Sequence, residues 1–329
     1  MPSRRKRLPA AQYIDGILVS DRVKLAQAIT VIESELASDL DLAEEILDAV
    51  LPHTGNSRRV GITGTPGAGK STFIDVLGLH LIHNRAERVA VLSIDPSSPI
   101  SGGSILGDKT RMERLSAEER AFIRPSPSRG HLGGVARRTR ETMLLCEAAG
   151  YENILVETVG VGQSETAVRS MTDFFLLLMI PRAGDELQGM KRGIIEMIDA
   201  IAINKADGDN VDAARRSQHE YQNALHLFPL AADGWNPLVM TCSALNQQGV
   251  AEIWDVVLQH RAQQESNGYF KTRRSAQSLD WMRDIVTAEI DNLVAEHLPS
   301  LAEAVKEGKL TPFHAARLLV SRSLLAAKP

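Results

Sequence analysis

The chain has 329 residues, of which 43% are hydrophobic and 24% charged, and its formal net charge is −4. This composition is ordinary for a globular protein, and the length predicts one large α/β domain with helical additions, or two small domains. The slightly acidic balance disfavours a nucleic-acid-binding protein, which would more often be basic.

The two cysteines, Cys146 and Cys242, are far apart in the sequence, and neither lies in a CxxC motif or a Cys/His cluster. A disulfide framework and a structural zinc site are therefore not expected, and a reducing, cytoplasmic setting fits. No apolar core of secretory-signal length follows the basic segment 3–7, so we interpret that segment as a frayed tail or a short targeting segment. The longest apolar run, residues 174–180, is far shorter than the roughly 20 residues that span a bilayer. No membrane association is expected.

The first 55 residues show the periodicity of amphipathic helices. Apolar residues recur at spacings of three and four in one stripe: Leu25, Ala28, Ile29, Ile32 and Leu36. A second helix is predicted over 40–51, ending near Pro52.

From residue 59 onward, short apolar segments alternate with helical ones. Strands are predicted at 60–63, 89–94, 122–123, 153–156, 174–180, 200–203 and 238–242, with helices at 71–83 and 132–149. This alternation predicts an α/β fold with a mostly parallel sheet and helices on both faces.

After about residue 262 no further strand is predicted. A polar, basic link over 263–275 leads to helices, and the last helix follows Pro312. The first of them carries an apolar stripe: Leu279, Met282, Val286, Ile290 and Leu293.

A glycine-rich segment lies between the first predicted strand and the next helix. The glycines allow backbone N–H groups to surround an anion, and the helix N-terminus adds positive potential. We expect Lys70 to reach the β- and γ-phosphates and the Ser71 hydroxyl to ligate Mg²⁺. In this strand-to-helix context the segment predicts a P-loop nucleotide triphosphatase. Its residues fit G-x-x-x-x-G-K-[ST], with one more hydroxyl after the motif: Gly64, Thr65, Pro66, Gly67, Ala68, Gly69, Lys70, Ser71 and Thr72.

A second motif, Asn204-Lys205-Ala206-Asp207, follows the predicted strand 200–203 and fits the N-K-x-D pattern of GTPases. The Asp207 carboxylate can accept two hydrogen bonds from guanine, whereas adenine offers no matching pair of donors. Lys205 is expected to pack its stem along the base. After the next strand, Ser243, Ala244 and Leu245 are expected to close over the guanine. The two motifs together predict binding of GTP and GDP.

Acidic residues near strand ends are candidates for a Mg²⁺ site. GTPases of the Ras type have D-x-x-G after a strand, and here that place holds Glu157-Thr158-Val159-Gly160. Asp95 ends the strand 89–94, and Asp108 lies in a glycine-rich loop. Because Mg²⁺ takes about six oxygen ligands and usually keeps several waters, Ser71, Asp95, Asp108 and Glu157 could serve directly or through water.

The same segment bears on hydrolysis. We expect Gly160 to donate its backbone N–H to the γ-phosphate, so Lys70, Glu157 and Gly160 are the predicted catalytic residues. Val161 stands where Ras-type GTPases have the glutamine that orients water. We therefore predict slow intrinsic hydrolysis of GTP to GDP and phosphate that a partner accelerates, with the water-positioning residue left open.

Beyond these motifs, the sequence resembles the MeaB/ArgK GTPases, which include the methylmalonic aciduria type A protein. The similarity extends over roughly residues 20–300. The matching stretches are 64–72, 95–98, 102–112, 122–125, 133–134, 141–150, 157–166, 184–189 and 204–207.

The resemblance implies a function that residue spacing does not show. Members of this family are chaperones of adenosylcobalamin-dependent acyl-CoA mutases such as methylmalonyl-CoA mutase, and they gate cofactor loading. They form homodimers through C-terminal helices, and the acids named above surround their Mg²⁺. A mobile switch loop reports the nucleotide state to the mutase, and its expected counterparts here are Asp185, Glu186, Gln188 and Lys191.

The expected organisation is an N-terminal helical extension (1–55), a P-loop GTPase domain (56–262) and a C-terminal helical dimerisation arm (263–329). Three alternatives remain open. A nickel metallochaperone GTPase would need the clustered Cys or His residues that this sequence lacks. A P-loop kinase would favour ATP and would not need N-K-x-D. A scaffold that keeps GTP only as a structural ligand would not need Lys70, Ser71 or Glu157.

Overall fold

The computed structural model describes residues 7–34, 36–94, 112–126, 132–158, 164–181, 192–226 and 232–326. Its described strands form one sheet in which every neighbouring pair is parallel, in the order β3-β2-β4-β1-β5-β6-β7. The predicted α/β fold with a parallel sheet is confirmed. The strands are β1 (Arg58–Gly64), β2 (Val89–Ile94), β3 (Ala121–Ser126), β4 (Asn153–Thr158), β5 (Phe174–Met179), β6 (Ala200–Ile203) and β7 (Leu238–Thr241).

Helices connect these strands and cover both faces of the sheet. In the N-terminal region they are α1 (Ala10–Leu18), α2 (Arg22–Ile32) and α3 (Ala37–Val50). Between the strands they are α4 (Lys70–Arg85), α5 (Glu113–Ser116), α6 (Leu132–Ala148), α7 (Ser164–Arg169), α8 (Arg192–Ile195) and α9 (Val211–Leu225). After β7 they are α10 (Val250–Ser266), α11 (Tyr269–Lys306) and α12 (Pro312–Ala326).

The sheet is buried on both faces, because alternate residues of each strand enter two different apolar clusters. In β5, Phe175 and Leu177 belong to one cluster and Phe174 and Leu176 to the other. The first cluster also holds residues of α1, α2 and α6, and the second holds residues of α4 and α10. A strand covered on both faces reads as a continuous apolar run, which explains why β5 was visible in the sequence.

The N-terminal helices belong to the main core. Ile17, Leu25, Ile29 and Ile46 are all fully or almost fully buried, and α2 and α3 pack on α6. Asp21 caps α2 by accepting hydrogen bonds from the backbone N–H groups of the first turn. These helices therefore cover one face of the sheet.

The chain divides into two compact units, residues 1–272 and 273–329. The predicted polar link 263–275 contains the division between these units, but it is helical except at Asn267 and Gly268. Most of its polar residues are exposed or half-buried, although Gln264 is buried, and a solvated helix face has the composition of a linker. No helix in the described ranges combines the length and apolar character needed to cross a membrane.

Candidate nucleotide site

Parallel strands place their carboxyl ends on one edge of the sheet, and ligands of open α/β folds bind outside that edge. The predicted motifs meet there. The glycine-rich segment follows β1, Glu157 lies next to the end of β4, and the segments starting at Asn204 and Ser243 follow β6 and β7. The predicted phosphate-binding and base-binding motifs therefore lie at the same edge of the sheet.

The glycine-rich loop needs its glycines for two different reasons. Gly67 and Gly69 have φ of 81° and 88°, a left-handed conformation that side chains disfavour. Gly64 also has no room for a side chain, since a Cβ there would lie 2.2 Å from the backbone oxygen of Leu178 in β5. A Cβ at Gly69 would lie 2.7 Å from Asn204 Nδ2. The loop is therefore pressed against β5 and against the base motif.

Lys70 begins α4, and its ammonium lies over the loop. Nζ donates hydrogen bonds to the backbone oxygens of Gly64, at 2.6 Å, and Thr65, at 3.3 Å. Burial lowers the pKa of Lys70, and the charges of Glu157 and Glu165 raise it in opposition. This places a positive charge at the helix N-terminus, as phosphate binding requires.

Ser71 and Glu157 are brought together across the sheet. Ser71 Oγ donates to Glu157 Oε1 at 3.1 Å, and Glu157 is 9% exposed. Beside them, Thr158 Oγ1 donates to Thr63 Oγ1 at 2.8 Å, which ties the ends of β4 and β1 to each other. A hydroxyl and a carboxylate oxygen this close are hard donors of the kind Mg²⁺ prefers.

These two residues fit a Mg²⁺ ion, although they would supply only part of its shell. Ser71 and Glu157 would hold the ion, which would neutralise charge on the β- and γ-phosphates. The other predicted ligands, Asp95 and Asp108, lie outside the described residues. Within the described ranges, no group of three or more His, Cys, Asp or Glu side chains is arranged to hold a metal.

Asn204 joins the base motif to the phosphate loop. Its buried Nδ2 donates to the backbone oxygen of Ala68 at 2.8 Å, while its Oδ1 accepts from the backbone N–H of Ala244 at 3.0 Å. The thiol of Cys242 is 3.6 Å from the same Oδ1, and burial raises the pKa of Cys242 to about 12. A single amide thus fixes the relative positions of the loop after β1, the loop after β6 and the loop after β7.

Asp207 is oriented by the segment after β7. Ser243 Oγ donates a hydrogen bond to Asp207 Oδ2 and accepts one from the backbone N–H of Asn246 at 3.1 Å. Lys205 is exposed and has φ of 60°, and Leu245 is 78% exposed. The hydrogen bond from Ser243 therefore orients the Asp207 carboxylate.

Several predicted residues fall where the structure gives no description. Asp95, Asp108 and Gly160 lie outside the described residues, and so do the four switch-loop residues Asp185, Glu186, Gln188 and Lys191. In the described part, the loop residues Pro66 and Gly67 and the neighbouring Thr72 are exposed.

One residue that the sequence analysis missed is Glu165. It is 3% exposed, and its charge acts on Lys70. Its signals in the sequence are its place in the matching stretch 157–166 and its position as an acid in the first turn of a short helix after β4. The second is also an ordinary helix-capping feature.

Comparison with known proteins agrees with this arrangement. The family model described as "Methylmalonyl Co-A mutase-associated GTPase MeaB" matches residues 25–298. The chain is 50% identical over 315 residues to a putative GTPase of Caulobacter vibrioides, covering 94% of this chain and 96% of that protein. It is 49% identical over 282 residues to GTPase ArgK of Escherichia coli, covering 86% and 85%.

A mitochondrial relative and a solved structure are also similar. The methylmalonic aciduria type A homolog of Mus musculus is 43% identical over 321 residues, covering 93% of this chain and 77% of that protein. A crystal structure described as LAO/AO transport system kinase superposes with a TM-score of 0.75 at 39% identity, covering 97% of this chain and 99% of that one.

Proposed function

Because the chain belongs to the MeaB family of GTPases, we propose that it is a GTP-hydrolysing chaperone of an adenosylcobalamin-dependent acyl-CoA mutase. It gates the loading of the mutase's cofactor and protects or reactivates the enzyme. The observation that carries the proposal is the match of the family model over residues 25–298, whose description names association with methylmalonyl-CoA mutase.

The site geometry supports guanine nucleotide as the ligand. Asn204 ties the phosphate loop to the base motif through Ala68 and Ala244, and Ser243 orients the Asp207 carboxylate. In this proposal the loop residues Gly64 to Thr72 cradle the phosphates, and Asp207 selects guanine over adenine.

In this proposal Ser71, Glu157, Asp95 and Asp108 would hold a Mg²⁺ ion, directly or through water, and the ion would offset negative charge on the phosphates. Lys70 stabilises the charge that develops on the transferring phosphoryl group. Gly160 and the loop that contains Asp185 and Lys191 sense the terminal phosphate, and loss of that phosphate releases them.

Hydrolysis rates with and without a client test the proposal. We expect slow GTP turnover by the isolated chain and a large increase on adding a cobalamin-dependent acyl-CoA mutase from the same organism. Lys70→Ala should abolish both turnover and the effect on the mutase, whereas Glu152→Gln, on the opposite edge of the sheet, should change neither. Equal turnover with and without every such mutase would contradict the chaperone role.

The proposal includes a homodimer and a cytoplasmic setting. The stripe predicted on the C-terminal helix is exposed on α11 at Leu279, Met282, Val286 and Ile290, and an apolar stripe of this kind suits helix pairing between two copies.

A kinase is the second candidate, because the similar solved structure is described as a kinase. The two functions differ in nucleotide preference. Calorimetric titration with GTP and ATP in the presence of Mg²⁺ separates them, and we expect GTP to bind at least a hundredfold more tightly, about 2.7 kcal/mol. A preference for ATP would favour the kinase.

A further inference from the structure

Glu165 is a buried carboxylate with no task in the site described above. The residue is 3% exposed, and its buried Oε2 has no hydrogen-bond partner among the residues that the structure describes. An ionised oxygen that has lost its hydration costs free energy unless a positive charge or a donor compensates it. The cost of burying Glu165 therefore depends on which charged or donor groups lie near it.

The fold directs Glu165 toward the phosphate loop. The chain leaves β4 at the carboxyl edge and enters β5 at the amino edge, so α7 runs back along the strands, and it packs on β1 and β4. Val168 lies directly on β1, since a Cβ added at Gly61 would be 2.7 Å from Val168 Cγ1. Residues three apart share a helix face, so Glu165 lies on the same side, one turn nearer to Gly64.

Two carboxylates, Glu157 and Glu165, act electrostatically on the Lys70 ammonium, and they differ in their hydrogen bonds. Glu157 Oε1 already accepts from Ser71, whereas Glu165 Oε2 accepts from no donor in the described part of the chain. Lys70 itself donates to the backbone oxygens of Gly64 and Thr65. Glu165 thus adds a second negative charge to that of Glu157 in the surroundings of Lys70.

We propose that Glu165 is a positioning residue that supplies the counter-charge of Lys70 while no phosphate is bound, and that the phosphates of the nucleotide replace it on binding. This inference rests on the proposed nucleotide site. With Glu165 in place, a polyphosphate meets a negative neighbour, so tight binding depends on Mg²⁺. Removal of that charge should strengthen the binding of nucleotide in the absence of Mg²⁺.

The first test measures GDP affinity in EDTA-containing buffer with a fluorescent GDP analogue. We expect Glu165→Gln to lower Kd about tenfold, because a unit charge near a buried ammonium is weakly screened. Glu152→Gln is the matched control. It removes the same charge from an exposed residue at the amino edge of the sheet, where Glu152 accepts from the Arg88 backbone N–H, and it should leave Kd unchanged.

The outcomes are distinguishable. A misfolded variant cannot bind more tightly, so a gain is specific to the proposed role. Unchanged or weaker GDP binding by Glu165→Gln would overturn the inference, and so would a loss confined to Mg²⁺-containing buffer, which would make Glu165 a metal-site carboxylate. If the unaltered chain bound no guanine nucleotide, the proposed function itself would fail.

A second test uses stability and needs no nucleotide. Lys70→Met should lower the urea midpoint of the nucleotide-free protein, because it leaves Glu165 buried without its counter-charge. Adding Glu165→Gln to Lys70→Met should restore most of that loss. A double variant no more stable than Lys70→Met would overturn the inference, and this comparison decides the matter even if Glu165→Gln alone does not fold.

Discussion

Base selection depends on one carboxylate, Asp207, which Ser243 orients through a hydrogen bond. Asp207→Asn keeps the shape but replaces an acceptor oxygen with an NH₂ donor, which faces the donors of guanine. Charge-assisted hydrogen bonds contribute about 1.5–3 kcal/mol, so we expect GTP affinity to fall roughly 10- to 150-fold. Xanthine has a carbonyl oxygen where guanine has its amine, so the affinity for xanthosine triphosphate should fall far less than that for GTP, or should rise. Competition binding with the two nucleotides measures both effects.

The control for this substitution is Asp209→Asn, which removes the same charge from an exposed residue two positions further on. It should leave the affinities for both nucleotides unchanged. If Asp207→Asn weakened GTP and xanthosine triphosphate equally, the carboxylate would have a structural rather than a base-selecting role.

Much of the candidate site was predictable residue by residue, because each motif needs particular chemistry at fixed spacing. Lys70, Ser71 and Asp207 were identified in this way. The partnership of Ser71 with Glu157 depends on strand register, since Ile62 of β1 pairs with Glu157 of β4, and sequence spacing carries no register between distant strands. Glu165 was missed for a related reason, because its significance comes from the path of α7 along β1.

At the scale of elements, the close approach of β1 and β5 makes Gly64 structurally demanding. Gly64→Ala would place Cβ 2.2 Å from the Leu178 backbone oxygen. Neither strand can move without breaking the sheet, so we expect a loss of about 3 kcal/mol or more in the free energy of unfolding. Urea denaturation of the nucleotide-free protein measures it.

Gly67→Ala is the matched comparison in the same loop. Gly67 also has a positive φ, 81°, but no atom of the described residues lies within 4 Å of a Cβ there. Only the conformational cost remains, about 1–2 kcal/mol. If the two variants were equally destabilised, the contact with β5 would not be the cause.

Element boundaries were less predictable than element types. Strand β3 extends over Ala121–Ser126, although only residues 122–123 were expected. Pro125 suggests an early end, but β3 lies at the edge of the sheet, where a strand tolerates a residue without a backbone N–H. Helix α1 is short and was not resolved as a separate element within the helical pattern of the first 55 residues.

At the scale of the whole molecule, the N-terminal helices share the apolar cluster of the sheet. Ile29 of α2 is fully buried, whereas Val23 of the same helix is 63% exposed. We therefore expect Ile29→Ala to cost about 2–5 kcal/mol and Val23→Ala to change stability by less than about 0.5 kcal/mol. Similar urea midpoints for the two variants would show that these helices do not stabilise the main unit.

The proposed homodimer can be tested on the apolar stripe of α11 in the C-terminal unit. Leu279, Met282, Val286 and Ile290 lie on one side of α11 and are each 51–55% exposed. Large apolar side chains in one stripe gain free energy when a second helix covers them, because their surface leaves water. A proposed homodimer that uses this stripe should therefore be weakened by a charge placed within it.

Val286→Glu should shift the protein from dimer to monomer, since a carboxylate buried without a partner is unfavourable. Analytical ultracentrifugation over a range of protein concentrations measures the shift, and we expect the dimer dissociation constant to rise at least tenfold. Ala288→Glu adds the same charge to an exposed residue about 180° around the helix from the stripe, and it should leave the dimer intact. If both variants stayed dimeric, this stripe would not be the interface. If the unaltered chain sedimented as a monomer at every concentration, the homodimer itself would be refuted.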